Sequence, residues 1–204
     1  MTRDPRGARA LLVTVGTFVV VLLPCPAGAH LVTTGLGPVY DGISHVFMSP
    51  DDLVPIIALS LLAGLNGSAA ARSALFALTG AWLVGGILGF VSAAPLLPAA
   101  SATASFLLLG SLTAMDRPLS ARVVGALAVM VGLLHGGLNG VSLAQAQREG
   151  VGLAGIASAA FVVVAITSAL VVSLRIPWAR IVVRVAGSWV AAIGLLMLGW
   201  SLRG

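Results

Sequence analysis

The chain alternates between long apolar blocks and short breaks rich in proline, glycine or charge. Six blocks cover residues 53–71, 73–94, 99–115, 123–144, 151–174 and 181–202. Each approaches the roughly 17–25 apolar residues that a membrane-crossing helix needs. Pro95 and Pro98, Asp116-Arg117-Pro118, residues 145–150, and Arg175-Ile176-Pro177 mark the turns between them. The pattern predicts an all-α integral membrane domain with about six spans.

A shorter apolar block precedes these. Arg3, Arg6 and Arg9 lead into an uncharged run over residues 10–23, which Pro24, Cys25 and Pro26 end. At about 14 residues the run is short for a bilayer core. Ala27 and Ala29 then supply the small residues of a cleavage site, so residues 1–29 read as a cleaved signal peptide. The mature domain is expected over 30–204, starting at His30. The one cysteine would leave with the signal, and no thiolate ligand would remain.

Composition agrees with a bilayer setting. Of 204 residues 59% are hydrophobic and 8% charged, against about 25% charged in soluble domains. A water-soluble enzyme and a nucleic-acid binder are thereby excluded. The net charge of +5 comes from eleven basic residues, all arginine. With His30 outside, Arg72, Arg117, Arg122, Arg175, Arg180 and Arg184 fall inside, and Arg148 and Arg203 fall outside. That asymmetry fits the positive-inside rule and an inner-membrane, multi-pass protein with its mature N-terminus outside.

Glycines 85, 86, 89, 132 and 136 suit close helix packing. Trp178 and Trp200 lie near the ends of the last span, where interface anchors belong. The tetrapeptide Gly64-Leu65-Asn66-Gly67 returns as Gly137-Leu138-Asn139-Gly140, three spans later. An odd number of spans between copies would invert the second, so the match raises a 3+3 inverted repeat, with coincidence as the alternative.

Few ionisable residues are left to carry chemistry. His135 stands within a span, and Asn139 follows on the same helical face. An ionisable group at that depth is a functional candidate; its alternative is a neutral histidine bonding two helices together. Before the first span, residues 30–52 form an expected outer metal-capture segment. If residues 39–48 are helical, Asp41 and His45 share one face, as an ion pair or as co-ligands. Asp51 and Asp52 read as the N-terminal cap of the first span rather than a ligand pair. A free His30 would offer an amine and an imidazole together, or simply a frayed end. His30, Asp41, His45, His135 and Asn139 thus form a candidate donor set suited to Ni²⁺, Co²⁺ or Zn²⁺.

The small-residue cleavage site followed by His30, the segment "GLGPVYDGISH", the helix "LVPIIALSLLAGLNG" and the later "LLHGGLNG" together resemble the HupE/UreJ family of hydrogenase- and urease-linked membrane proteins. The resemblance implies a small permease for Ni²⁺, or Co²⁺, feeding metalloenzyme maturation proteins. It matches Asp41, His45 and His135 to the motif residues. The chain departs from the family pattern in three places. No histidine precedes Pro38, three residues separate Asp41 from His45, and Asn139 replaces a second histidine. Fewer imidazoles imply weaker or differently selective binding. The alternative function is a non-transporting membrane accessory subunit of such an assembly system. No P-loop appears, so ATP coupling would need a partner protein. No serine stands in a nucleophile motif, so no enzyme activity and no permanently bound cofactor are expected.

Overall fold

A computed structural model describes residues 33–95 and 100–201. Ala27, Ala29, His30 and Arg203 lie outside the described residues, as does the signal-peptide reading. The described residues form seven helices and no strand: α1 Pro38–Met48, α2 Pro50–Leu65, α3 Ser68–Ser92, α4 Ala100–Met115, α5 Ala121–Gln145, α6 Gly152–Ser173 and α7 Pro177–Ser201.

Helices α3, α5, α6 and α7 are 22 to 25 residues long and apolar enough to cross a membrane. Their outward faces carry Phe76, Ile87, Leu170, Trp189 and Leu196, all exposed, as lipid-facing surfaces do. Trp178 and Trp200 are exposed near the two ends of α7. Helices α1 and α2 pass the same test only as a pair, bent by 74° at Ser49. Helix α4, with 16 residues, is shorter than the others that span. The chain is therefore a multi-pass helical membrane protein, and among the described residues four helices are long and apolar enough to span, or five if the bent pair counts as one. The six-span reading treated the short α2 and α4 as equal to the rest.

The first boundary also moves. The expected span over 53–71 ends at Leu65, and α3 begins at Ser68, four residues before Arg72. Hydropathy misses this because Ala69-Ala70-Ala71 carries the apolar block across the turn. Asn66 makes the stop: its Nδ2 donates to the Leu62 carbonyl at 2.8 Å, and its Oδ1 accepts from the Leu119 amide at 2.6 Å. Gly67 then takes φ 92, a conformation that costs a glycine little. By contrast, Gly137 to Gly140 lie inside continuous helix. The two tetrapeptides therefore occupy different structures, which removes the support they gave to an inverted repeat.

Helix α2 is the hub and touches all six other helices. Ile56, Leu59 and Leu62 are fully buried there, with Leu78 and Trp82 of α3, Val131 of α5 and Ile156 of α6 around them. The α3–α5 seam is backbone on backbone. A methyl group added at Gly136 would meet the Trp82 carbonyl, one at Gly140 the Gly86 carbonyl, and one at Gly89 the Gly137 carbonyl. Small residues permit this approach where no hydrophobic force distinguishes helix from lipid. At one end of the bundle Arg180 donates to Asp116 at 2.8 Å and Arg184 to the Ala114 carbonyl at 3.1 Å. Asp41 and Arg148 meet at the other.

Candidate functional site

The break between α1 and α2 creates the site. Ser49 is extended and Pro50 starts α2, so the chain turns before its next helical residue. Proline suits this first position because its missing N–H would have had no intrahelical partner. The turn puts Asp52 in the first turn of α2, only 6% exposed, facing α5.

Three side chains converge on its carboxylate. Asn139 Nδ2 donates to Oδ2 at 3.0 Å, and His135 Nδ1 lies 3.1 Å from Oδ1. His45 Nε2, from the last turn of α1, is 3.4 Å from Oδ2 and 2.9 Å from Asn139 Oδ1. A carboxylate only accepts, so His135 Nδ1 and His45 Nε2 carry their protons toward it. Asn139 bridges the network, donating to Asp52 and accepting from His45. The i, i+4 spacing on α5 brings His135 and Asn139 to one face.

A second tier fixes the His135 ring. Ser105 Oγ of α4 lies 3.0 Å from Nε2 and 2.6 Å from the Ala102 carbonyl, and its single proton serves one of the two. Trp82 of α3 stacks on the ring, with centroids 5.7 Å apart. Its buried indole N–H has no hydrogen-bond partner among the described residues. As a donor without a lone pair, it cannot ligate a cation. Ser49 Oγ stands 3.3 Å from His45 Nδ1. Five helices thus contribute to one polar cluster.

Asp41 lies apart from this cluster. Its Oδ1 accepts from both the amide and the hydroxyl of Thr34, each at 2.6 Å, and its Oδ2 is 3.7 Å from Arg148. Asp41 and His45 nevertheless line the same cavity of about 180 Å³, with Gln147, Arg148 and Glu149. One wall of His45 therefore faces this cavity, and its Nε2 faces the buried network. Among the described residues no group of three or more His, Cys, Asp or Glu is arranged as a ready metal cage. With the ring nitrogens that face the carboxylate protonated, a neutral imidazole offers a metal only its other nitrogen, His45 Nδ1 beside Ser49 or His135 Nε2 beside Ser105.

Asp52 is the residue that the sequence reading assigned elsewhere. Ser49 has no side-chain cap bond, and the Asp52 carboxylate is used by the network instead. Helical spacing could not have singled it out, because Pro55 and Ala58 follow Asp51 at four and seven residues just as Ile56 and Leu59 follow Asp52, and all four are buried.

The fold and the cluster define a multi-pass α-helical membrane protein with a buried carboxylate–imidazole centre, one member of which, His45, also lines a cavity. The chain belongs to the HupE / UreJ protein family, whose match covers residues 18–197. No curated protein and no solved structure matches the chain.

Proposed function

We propose that this protein is a permease or facilitator for a divalent transition-metal ion, nickel or cobalt, that supplies metalloenzyme maturation. The observation that carries the reading is the Asp52–His45–His135–Asn139 cluster, set inside the bundle and joined to a cavity through His45. Two imidazoles, one carboxylate and one amide suit borderline divalent ions better than Ca²⁺ or Mg²⁺. Membership of a family associated with nickel and cobalt handling supports the same cargo. Ions are captured in the cavity at His45 and passed to Asp52, His135 and Asn139, where the Asp52 and Asn139 oxygens and the unprotonated nitrogen of each neutral ring supply lone pairs. His30 would add a chelating amine ahead of this path. The arginine asymmetry supports an inner-membrane orientation with the cavity facing outward.

A second reading has its own support. The network is already hydrogen-bonded within itself, as a purely structural cluster would be, and this favours a non-transporting accessory subunit. Accumulation of radiolabelled nickel and cobalt in cells separates the two. A permease loses uptake in Asp52→Asn, His45→Ala and His135→Ala while the protein remains in the membrane. Unchanged accumulation in all three variants overturns the permease reading.

A further inference from the structure

A single arginine, Arg148, lines the cavity beside His45, and the backbone anchors it there. Helix α5 ends with the Gln147 amide donating to the Ala144 carbonyl at 3.0 Å and the Arg148 amide donating to the Leu143 carbonyl at 2.9 Å. This is a Schellman ending, normally built on glycine at the left-handed position. Here Gln147 occupies it, at φ 53. From that anchored backbone the Arg148 guanidinium donates to Thr33 Oγ1 at 2.6 Å and lies 3.7 Å from Asp41 Oδ2. Asp41 Oδ1 is held by Thr34. The four residues clasp the segment before α1 to the α5–α6 loop. The floor beneath does not yield, because Gly42 packs on the Gly152 carbonyl and Gly155 on the Val39 carbonyl.

We propose that Arg148 is a tethered cation that occupies Asp41 until a divalent ion displaces it, so that it gates the cavity leading to His45 and selects by charge. This inference rests on the permeation reading above. The cavity wall carries two carboxylates, Asp41 and Glu149, against one guanidinium, so it attracts cations even while the clasp is closed. At 3.7 Å the Arg148–Asp41 contact is a charge contact without a hydrogen bond. A divalent ion at the same separation gains twice the Coulomb attraction of a guanidinium, whereas a monovalent ion gains no advantage. Displacement is therefore easy for the former and unfavoured for the latter. Once released from Asp41, the guanidinium pivots on its bond to Thr33 and leaves Asp41 Oδ2 to the ion.

Two measurements on the full chain test the gate. In proteoliposomes, Arg148→Gln should lower the cobalt concentration for half-maximal uptake by about two- to fivefold, the size an exposed ion pair supports. The maximal rate should not change, and the shift should vanish when Asp41→Asn is added. A half-saturation that stays constant or rises overturns the gate. A mere strut at Arg148 would instead lower the maximal rate through lost protein. In detergent, labelling of Arg148 by phenylglyoxal, read by mass spectrometry, should accelerate when cobalt is added and be fast without cobalt in Asp41→Asn. Labelling indifferent to cobalt overturns the gate. This second readout decides even if no cobalt crosses the membrane, an outcome that defeats the permease reading by itself.

Discussion

Two aspartates, eleven residues apart in the chain, show how burial changes what a carboxylate does. Asp52 lies inside the bundle, and its oxygens are shared among an amide and two imidazoles from α1 and α5. Asp41 lies at the rim, held by a threonine and loosely faced by an arginine. Inside, water cannot replace a lost partner, so every donor aimed at Asp52 depends on it. At the rim water and salt can replace Arg148, so its contact with Asp41 can be exchanged. The inner carboxylate is suited to organising a site, and the outer one to trading partners.

The sharpest way to break the comparison is to remove the inner carboxylate. Asp52→Ala leaves His135 Nδ1 and Asn139 Nδ2 without an acceptor in an apolar interior. We expect a loss of about 2–5 kcal/mol, read as a lower melting temperature in detergent. A variant as stable as the parent would mean that water reaches the cluster. Asn139→Leu comes next, because it deletes the bridge between Asp52 and His45 at nearly constant volume. Its expected cost is about 1–3 kcal/mol by the same melt, with His135 still paired to Asp52. At the rim, Arg148→Gln should shift the melt little, and the shift should disappear as salt is raised. The Asp52 variants should show no such salt response. Finally, the two aspartates have no hydrogen-bond partner in common. Combining Asp41→Asn with Asn139→Leu should therefore give additive melts within error. Clear coupling would show that the rim and the interior act as one unit.

Helices α5, α6 and α7 were legible because each is a long apolar block with strong punctuation at its ends, and α3 was legible except for its start. The pairing of His135 with Asn139 was legible too, since four-residue spacing fixes a common helical face. What the sequence hid was local. The stop at Asn66-Gly67 depends on a side chain capping backbone carbonyls and accepting from Leu119, far away in the chain. Hydropathy does not register such bonds. Asp52 was obscured because a helix cap and a buried ligand call for the same residue type in the same first turn. Asp41 was marked by its residue type and its spacing to His45. The structure places both on one cavity but gives Asp41 partners, Thr34 and Arg148, that no spacing rule indicates.

The glycine seams have a mechanical consequence. Besides α3 on α5, Gly42 and Gly155 join α1 to α6, and Gly110 and Gly187 join α4 to α7, each with backbone against a neighbour too close for any added methyl. Side chains can rotate out of the way of a sliding helix, but a carbonyl pressed against a Cα has nothing to rotate. These six helices therefore pair into three close-packed blocks around α2, which Gly64 in turn holds against Val171 and the Ser168 carbonyl of α6. His45 rides on one block, Ser105 on another, and His135 with Asn139 on the third, while Asp52 belongs to the axle between them. A small rocking of the blocks that carry Ser105, His135 and Asn139 would leave every seam intact and still pull the donors apart or press them together.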